Sequence, residues 1–141
     1  MRELSLIIFE LLAISLGVDR FHYSKFFEDG NSIMRCNYYP TCNNSGLTLG
    51  TGPHCDPTSL TILHQDQVGG LEVFTNNKWQ AVRPRQDALV INIGDTFMVS
   101  SPQKSFHQTV FILLKTPSLL HFFPIVIVLL HNNEYDPDIN D

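Results

Sequence analysis

Turn-forming residues recur at short intervals through the middle of this chain and divide it into brief runs of strand-forming residues. The pairs Gly69-Gly70, Asn76-Asn77 and Gly94-Asp95 are turn signals, and the runs beside them are rich in aliphatic and aromatic side chains. Asn76-Asn77 predicts a tight hairpin turn. Short strands at this spacing predict a mainly β sandwich or barrel. The predicted strands cover residues 33–39, 60–63, 71–74, 78–82 and 87–93.

The N-terminal segment has a different periodicity. Apolar residues recur at helical spacing from Leu4 to Leu12, and Gly17 follows as a stop signal. We therefore predict a helix over residues 3–16 that packs against the sheet. Glu10 lies within this apolar segment and argues against its being a secretion signal. Charged and proline residues divide a second apolar stretch, residues 111–130, into pieces too short to span a bilayer. We expect no membrane association.

Length, charge and cysteine content narrow the classes of function. The chain has 141 residues, of which 43% are hydrophobic and 16% charged, a composition typical of one globular domain. The net charge of −5 and the lack of a basic stripe argue against a nucleic-acid partner. The three cysteines have no repeated spacing, which argues against a disulfide framework and favours the reducing cytoplasm.

The tripeptide His54-Cys55-Asp56 is the clearest candidate for a chemical site. In an extended segment, side chains two positions apart point to the same face, so His54 and Asp56 can converge on one ion while Cys55 faces away. Two histidines and one carboxylate form the facial triad that holds Fe(II) and leaves open positions for other ligands. A surface histidine near an aspartate is the common alternative, and on the tripeptide alone it outweighs metal binding.

A third metal ligand has to come from another strand. His64 is too close in sequence to lie on a distant strand, and we interpret it as a partly exposed polar residue. His107 lies at about the separation that the return strand of a jelly-roll allows. The candidates are His64, His107, His121 and His131.

Four other prominent residues have structural interpretations. We interpret Trp79 as a packing residue of the predicted hairpin rather than a substrate platform, and Asp95 as a turn residue rather than a catalytic acid. Phe97 and Met98 are predicted core residues.

Three stretches carry a resemblance to a known family. They are Asn37-Tyr38-Tyr39-Pro40, the block from Leu47 to Leu71 that contains Gly52-Pro53-His54-Cys55-Asp56-Pro57-Thr58-Ser59, and Asn92-Ile93-Gly94-Asp95-Thr96-Phe97-Met98. All three closely resemble plant gibberellin 20-oxidases, which are Fe(II)- and 2-oxoglutarate-dependent dioxygenases. Residues 4–18 and 32–35 also resemble that family. The resemblance covers roughly residues 3–98 and is more specific than a likeness to these dioxygenases in general.

The resemblance implies a double-stranded β-helix, or jelly-roll, with an N-terminal supporting helix, present here in incomplete form. It implies that His54 and Asp56 bind Fe(II), that Tyr39 helps to hold 2-oxoglutarate, and that Asn37 lies nearby. The reaction consumes O2 and 2-oxoglutarate and oxidises carbon 20 of gibberellin precursors. By the same analogy we expect a monomer that acts on a small-molecule substrate.

After residue 98 the sequence departs from this family, which there places a second iron-binding histidine and an Arg-x-Ser motif. His107 is the candidate third ligand, although it falls about three residues early. The family's arginine binds the distal carboxylate of 2-oxoglutarate as a bidentate pair. No arginine follows Arg85, and Thr116-Pro117-Ser118 stands near the expected motif, so that Ser118 is the candidate cosubstrate-binding serine.

We therefore divide the single partial domain 1–141 into a family-like part, residues 3–98, and a divergent tail, residues 99–141. This division indicates a truncated or mis-spliced copy. Three hypotheses follow: an active gibberellin 20-oxidase, an inactive fragment of that family without the cosubstrate arginine, or a related plant dioxygenase with another small-molecule substrate. The block 47–71 favours the gibberellin branch.

Overall fold

The computed structural model describes residues 2–27, 31–40, 49–100, 112–115, 121–123 and 129–131. The helices in these ranges are α1 (Arg2–Ser15), α2 (Ser24–Phe27) and α3 (Asp95–Ser100). The strands are β1 (Asn31–Ile33), β2 (Asn37–Tyr39), β3 (Leu49–His54), β4 (Leu60–Leu63), β5 (Leu71–Thr75), β6 (Lys78–Ala81), β7 (Val90–Ile93), β8 (Ile112–Lys115), β9 (His121–Phe123) and β10 (Leu129–His131). No helix in the described part of the chain is long and apolar enough to cross a membrane.

The described strands form two four-stranded sheets and one two-stranded ladder. The first sheet has the order β1-β10-β4-β7, the second has the order β3-β8-β5-β6, and β2 pairs with β9. The paired strands are antiparallel in every described case. Strands far apart in sequence are neighbours in the sheets. Strand β10 lies between β1 and β4, and β8 lies between β3 and β5. The predicted mainly β architecture is confirmed.

The hydrophobic core lies between the helices and the first sheet. Phe9 of α1 is 1% exposed and stacks on Phe27, with ring centroids 3.9 Å apart. Phe97 of α3 lies 5.5 Å from the Phe9 ring. Leu60 and Ile62 of β4, both fully buried, close the cluster from the sheet side. This packing confirms the predicted helix and its position against a sheet.

The predicted helix stop is also confirmed. Gly17 follows α1 with φ +72°, in the left-handed region that glycine adopts without steric cost. Its amide bonds the carbonyl oxygen of Ile14 at 3.0 Å, and the amide of Val18 bonds that of Ala13 at 3.1 Å. These bonds satisfy carbonyl groups that the end of the helix would otherwise leave without a partner.

Strand β3 contains two register shifts where it pairs with β8. Leu49 is opposite Lys115, Thr51 is opposite Leu114, and His54 is opposite Ile112. Each interval therefore has one more residue on β3 than on β8, the pattern of a β-bulge. Positions 112 and 114 are two apart and share a face of the sheet, so the register also places Thr51 and His54 on one face. Without the second bulge, these two residues, three apart in sequence, would face opposite ways.

Strands β5 and β6 form the predicted hairpin. The two turn residues, Asn76 and Asn77, have φ values of 52° and 60°, as a type I′ turn requires. Phe74 is opposite Trp79, and their ring centroids are 5.2 Å apart. The interpretation of Trp79 as a hairpin packing residue agrees with this contact.

Three predictions of local structure were wrong in part. The single strand predicted over 33–39 is two strands, β1 and β2, whose partners belong to different ladders. The strand predicted over 87–93 is confined to β7, because a turn precedes it, where the Ala88 amide lies 3.4 Å from the Arg85 carbonyl oxygen. Asp95 is the first residue of α3 rather than part of a simple turn.

Candidate metal centre

The imidazole of His54 and the carboxylate of Asp56 lie side by side at the end of β3. His54 Nε2 is 3.6 Å from Asp56 Oδ1. Both side chains are only partly exposed, at 39% and 16%. The structure thus brings together the two residues that their spacing placed on one face.

The hydrogen bond of His54 Nδ1 determines which of the two ring nitrogens can bind a metal. Nδ1 lies 2.8 Å from the carbonyl oxygen of Gly52. A carbonyl oxygen only accepts hydrogen bonds, so Nδ1 carries the proton and donates it. In the neutral ring, Nε2 then presents its lone pair toward Asp56. A backbone carbonyl on the far nitrogen is the usual support of a metal-binding histidine.

The distance between these two donors fits one divalent ion. Donors that each lie about 2.1 Å from an ion and meet it at a right angle are roughly 3 Å apart. The observed 3.6 Å between Nε2 and Oδ1 is about 0.6 Å wider, a difference that side-chain rotation can close. Within the described ranges, His, Cys, Asp and Glu side chains form no group of three around a common point. The described part of the site is therefore a two-ligand half-site.

Asp56 is fixed by contacts from the last residues of β7 and the first residues of α3. Asn92 Nδ2 donates to Asp56 Oδ2 at 3.3 Å, and the Asp95 amide donates to the Asp56 carbonyl oxygen at 2.9 Å. The hydroxyl of Thr96 donates to the carbonyl oxygen of Pro57 at 2.6 Å. Both the side chain and the backbone of Asp56 are therefore held by residues that lie far away in sequence.

A second polar group surrounds Tyr39. Its hydroxyl lies 3.1 Å from Thr51 Oγ1, and Asn37 Nδ2 donates to it at 3.2 Å. Since the bulged register puts Thr51 on the same face as His54, the Tyr39 group adjoins the face that carries the half-site. Asn37 and Tyr39, the two residues expected near a cosubstrate, are thus brought together.

The thiol of Cys55, between the two candidate ligands, stays protonated at neutral pH. Burial, followed by the negative charges of Asp95 and Asp56, raises the pKa of this thiol above its ordinary value. A thiolate is the form of cysteine that binds metals. In the metal-free chain Cys55 is therefore not in the thiolate form, whereas a carboxylate or a neutral imidazole needs no such deprotonation to bind a metal.

The structure describes only some of the other predicted site residues. His107 and Ser118 lie outside the described residues, so their roles stay predictions. His64 is half-buried beyond β4, in agreement with its interpretation as a partly exposed polar residue. His121 is opposite Tyr39 in the β2–β9 ladder, and His131 is opposite Asn31 in the first sheet.

Two polar residues of the site were not anticipated. Asn92 and Thr51 contact candidate site residues, yet neither stands out by type or spacing. Asn92 does interrupt an otherwise apolar strand, Val90–Ile93, and is itself 7% exposed. A buried polar residue in an apolar strand needs a hydrogen-bond partner, and that is the one signal that could have identified it.

The sequence of this chain matches a known protein family and several curated relatives. The profile of the 2OG-Fe(II) oxygenase superfamily matches residues 30–115. Gibberellin 20 oxidase 3 of Arabidopsis thaliana is 66% identical over 98 residues, which are 70% of this chain and 26% of that protein. Gibberellin 20 oxidase 1-B of Triticum aestivum is 65% identical over 101 residues, 72% of this chain and 28% of that protein. The chain thus spans about a quarter of the length of the curated relatives it matches.

Solved structures share the fold. JOX2, in complex with 2OG, Fe and JA, is 32% identical with a TM-score of 0.83, over 92% of this chain and 38% of that one. The dioxygenase for auxin oxidation of rice is 27% identical with a TM-score of 0.79, over 94% of this chain and 44% of that one. These similarities confirm the expected jelly-roll with an N-terminal helix, and the sequence matches confirm the resemblance to gibberellin 20-oxidases.

Proposed function

Because this chain belongs to the 2OG-Fe(II) oxygenase superfamily, we propose that it carries the metal half-site of an enzyme that oxidises carbon 20 of gibberellin precursors. Fe(II), 2-oxoglutarate and O2 are the cofactor and cosubstrates of this superfamily, as the resemblance implied. The identities of 62–66% to gibberellin 20 oxidases of three plants support the substrate class.

The observation that carries the proposal is the placement of His54 Nε2 beside Asp56 Oδ1 at 3.6 Å. One neutral nitrogen and one carboxylate oxygen are two thirds of the donor set that Fe(II) takes in this kind of enzyme. His107 is the proposed third ligand. When bound, the iron supplies the redox chemistry that couples O2 and 2-oxoglutarate to oxidation of the substrate.

The protein residues hold the reacting groups in place. The Gly52 carbonyl fixes the His54 ring through Nδ1, so Nε2 keeps one orientation. We propose that Tyr39 and Asn37, with Ser118, hold 2-oxoglutarate. The hydroxyl of Tyr39 is oriented by Thr51 and Asn37, at 3.1 and 3.2 Å, and does not have to be ordered when the cosubstrate arrives.

The domain organisation, oligomeric state, compartment and substrate class are part of the same proposal. We propose one domain over residues 1–141 that acts as a monomer in the cytoplasm on a small diterpenoid substrate, without a nucleic-acid or membrane partner. A substrate panel of gibberellin precursors, auxins and jasmonates tests the branch, since JOX2 and the auxin dioxygenases share the fold. Turnover of an auxin or a jasmonate, with none of a gibberellin precursor, would place the chain on another branch of the family.

The direct test is an anaerobic titration of the folded chain with Fe(II) and 2-oxoglutarate. A bidentate keto acid on Fe(II) gives a visible charge-transfer band, which we expect for the unaltered chain and not for Asp56→Asn. Asp87→Asn is the matched control, because it also removes one carboxylate. Arg85, at 2.9 Å, holds the pKa of Asp87 below its ordinary value, so that this exposed residue is charged at neutral pH. A band that survives Asp56→Asn would refute the half-site.

The second candidate is a relative that binds the metal but does not use 2-oxoglutarate. The specific observation in its favour is that no arginine follows Arg85, while a bidentate arginine is the usual partner of the distal carboxylate. This candidate predicts that Co(II), a redox-silent substitute for Fe(II), binds with normal affinity while 2-oxoglutarate produces no band. Calorimetry first with Co(II), and then with 2-oxoglutarate added to the Co(II)-loaded chain, distinguishes the two candidates.

A further inference from the structure

The segment Asn92–Thr96 lies along the segment Asp56–Ser59, and hydrogen bonds join the two at several points. Besides the bonds to Asp56 and Pro57, the amide of Gly94 donates to the carbonyl oxygen of Ser59 at 3.1 Å. The approach is so close that a Cβ atom on Gly94 would lie 1.7 Å from the carbonyl oxygen of Thr58. The sequence Asn-Ile-Gly-Asp-Thr, which had no role beyond family resemblance, therefore forms the support of the Asp56 loop.

Within this support, one side chain reaches the carboxylate itself. Asn92 is 7% exposed, and its Nδ2 lies 3.3 Å from Asp56 Oδ2, slightly longer than the usual N–H···O distance. A carboxylate oxygen accepts, so the amide nitrogen of Asn92 must face it. The other oxygen, Oδ1, is the one that faces His54 Nε2. The two oxygens of Asp56 thus have different partners.

We propose that Asn92 is a positioning residue that binds Oδ2 of Asp56 and thereby directs Oδ1 alone to the metal. This inference rests on the proposed function, because it concerns how the half-site presents its carboxylate. An aspartate without such a partner rotates about its terminal torsion and offers either oxygen or both. With Oδ2 engaged, the carboxylate binds through one oxygen and leaves more of the coordination sphere for other ligands.

The sheet explains why position 92 can perform this role. Asn92 is opposite Thr61 of β4, whereas Ile93 is opposite Leu60, whose side chain belongs to the core beside the helices. Successive side chains of a strand point to opposite faces. Ile93 therefore packs toward the helices, and Asn92 points to the other face of the first sheet, where Asp56 lies. The hydrogen bond connects the first sheet to the end of β3 in the second.

The test compares metal binding by Asn92→Ala and Ile93→Ala in the full chain. Both variants truncate a partly or fully buried side chain of β7, but only the first removes a contact to Asp56. Co(II) alone is titrated and followed by its visible d–d absorption, and the thermal unfolding of each metal-free protein is measured in parallel. Loss of an outer partner of a metal ligand weakens affinity roughly 10- to 100-fold.

We expect Asn92→Ala to lose affinity by that factor and to alter the shape of the bound Co(II) spectrum, while Ile93→Ala keeps both. Ile93→Ala should nevertheless lower the unfolding temperature at least as much. If Asn92→Ala binds Co(II) with unchanged affinity and spectrum, or if Ile93→Ala weakens binding equally, the positioning role is refuted. If the unaltered chain binds no Co(II), the half-site itself is refuted and the positioning role with it.

Discussion

At the scale of single residues, a substitution of Tyr39 is the most exacting test of the proposed cosubstrate site. Its hydroxyl is held by Thr51 and Asn37, so removing it affects one oriented polar group and little packing. We expect Tyr39→Phe to weaken 2-oxoglutarate binding about fivefold, the effect of losing a hydrogen bond of about 1 kcal/mol. Titration of 2-oxoglutarate into the Fe(II)-loaded chain measures this change, and Co(II) affinity should stay the same.

The neighbouring tyrosine provides the control. Tyr38 is 47% exposed, and successive side chains of β2 point to opposite faces, so Tyr38→Phe should leave 2-oxoglutarate affinity unchanged. Equal effects of the two substitutions, or no effect of Tyr39→Phe, would contradict the assignment of Tyr39.

The alternation of side chains along an extended segment was sufficient to predict that His54 and Asp56 face the same way, because they are two positions apart. It could not reveal that Asn92 engages Oδ2, since this contact spans 36 positions and depends on how β4 and β7 pair. Nor could it predict the bulges of β3, which turn Thr51 to the face of His54. Contacts within a strand follow from sequence, and contacts between strands depend on register.

At the scale of elements, the close approach between the Asp56 loop and the start of α3 depends on Gly94. A Cβ atom there would lie 1.7 Å from the Thr58 carbonyl oxygen and 2.9 Å from that of Asp56. Both are backbone atoms that cannot rotate away, so the segments must separate. We expect Gly94→Ala to cost about 3 kcal/mol or more, above the usual range for overpacking, and to weaken Co(II) binding. Urea unfolding and Co(II) titration measure the two effects.

Gly52→Ala is the matched control for this substitution. Gly52 lies in β3 next to the same site, but a Cβ atom there would meet nothing within 4 Å. The change also keeps the carbonyl that accepts from His54. Stability and Co(II) affinity close to those of the unaltered chain are expected for Gly52→Ala, and similar losses in both variants would show that the close approach at Gly94 is not the cause.

Elements with a strong local signal were predicted, and those that depend on tertiary contacts were not. Helix α1 has a periodic apolar face, and the β5–β6 hairpin has two asparagines suited to its turn. Helix α3 has only six residues, and its first amide, that of Asp95, bonds Asp56 rather than a residue of its own segment. Such a short helix is stable only through its packing. The break between β1 and β2 likewise reflects partners, β10 and β9, near the other end of the chain.

At the scale of the whole molecule, Phe97 connects the helices to the sheet that carries Asn92. It is fully buried and lies within 4.7 to 6.4 Å of the rings of Tyr23, Phe9 and Phe27. Phe97→Ala should cost about 3–5 kcal/mol of unfolding free energy. Val99→Ala, in the same helix but at an 87% exposed position, should change it by less than about 0.5 kcal/mol. Urea unfolding measures both, and equal effects would contradict this description of the core.

The class of fold was predictable from turn spacing and the helical segment, but the order of strands in the sheets was not. Sequential strands such as β5 and β6 pair through local turns. By contrast, β8 lies between β3 and β5, and β10 lies between β1 and β4. These insertions depend on long-range register, which the local sequence of a strand does not show. The resemblance to a known family supplied the jelly-roll where the pattern left a sandwich and a barrel equally open.

The bond between Asn92 and Asp56 also has a consequence for the order in which the chain becomes organised. Thirty-six positions separate these residues, and the β5–β6 hairpin, whose two strands are joined by a two-residue turn, lies between them. Closing a loop of this length costs entropy that the short hairpin turn does not. During synthesis, the hairpin can form as soon as Ala81 has left the ribosome, whereas the support of Asp56 is complete only after Thr96 has emerged. A nascent chain would therefore meet the cell's iron with its carboxylate still unsupported.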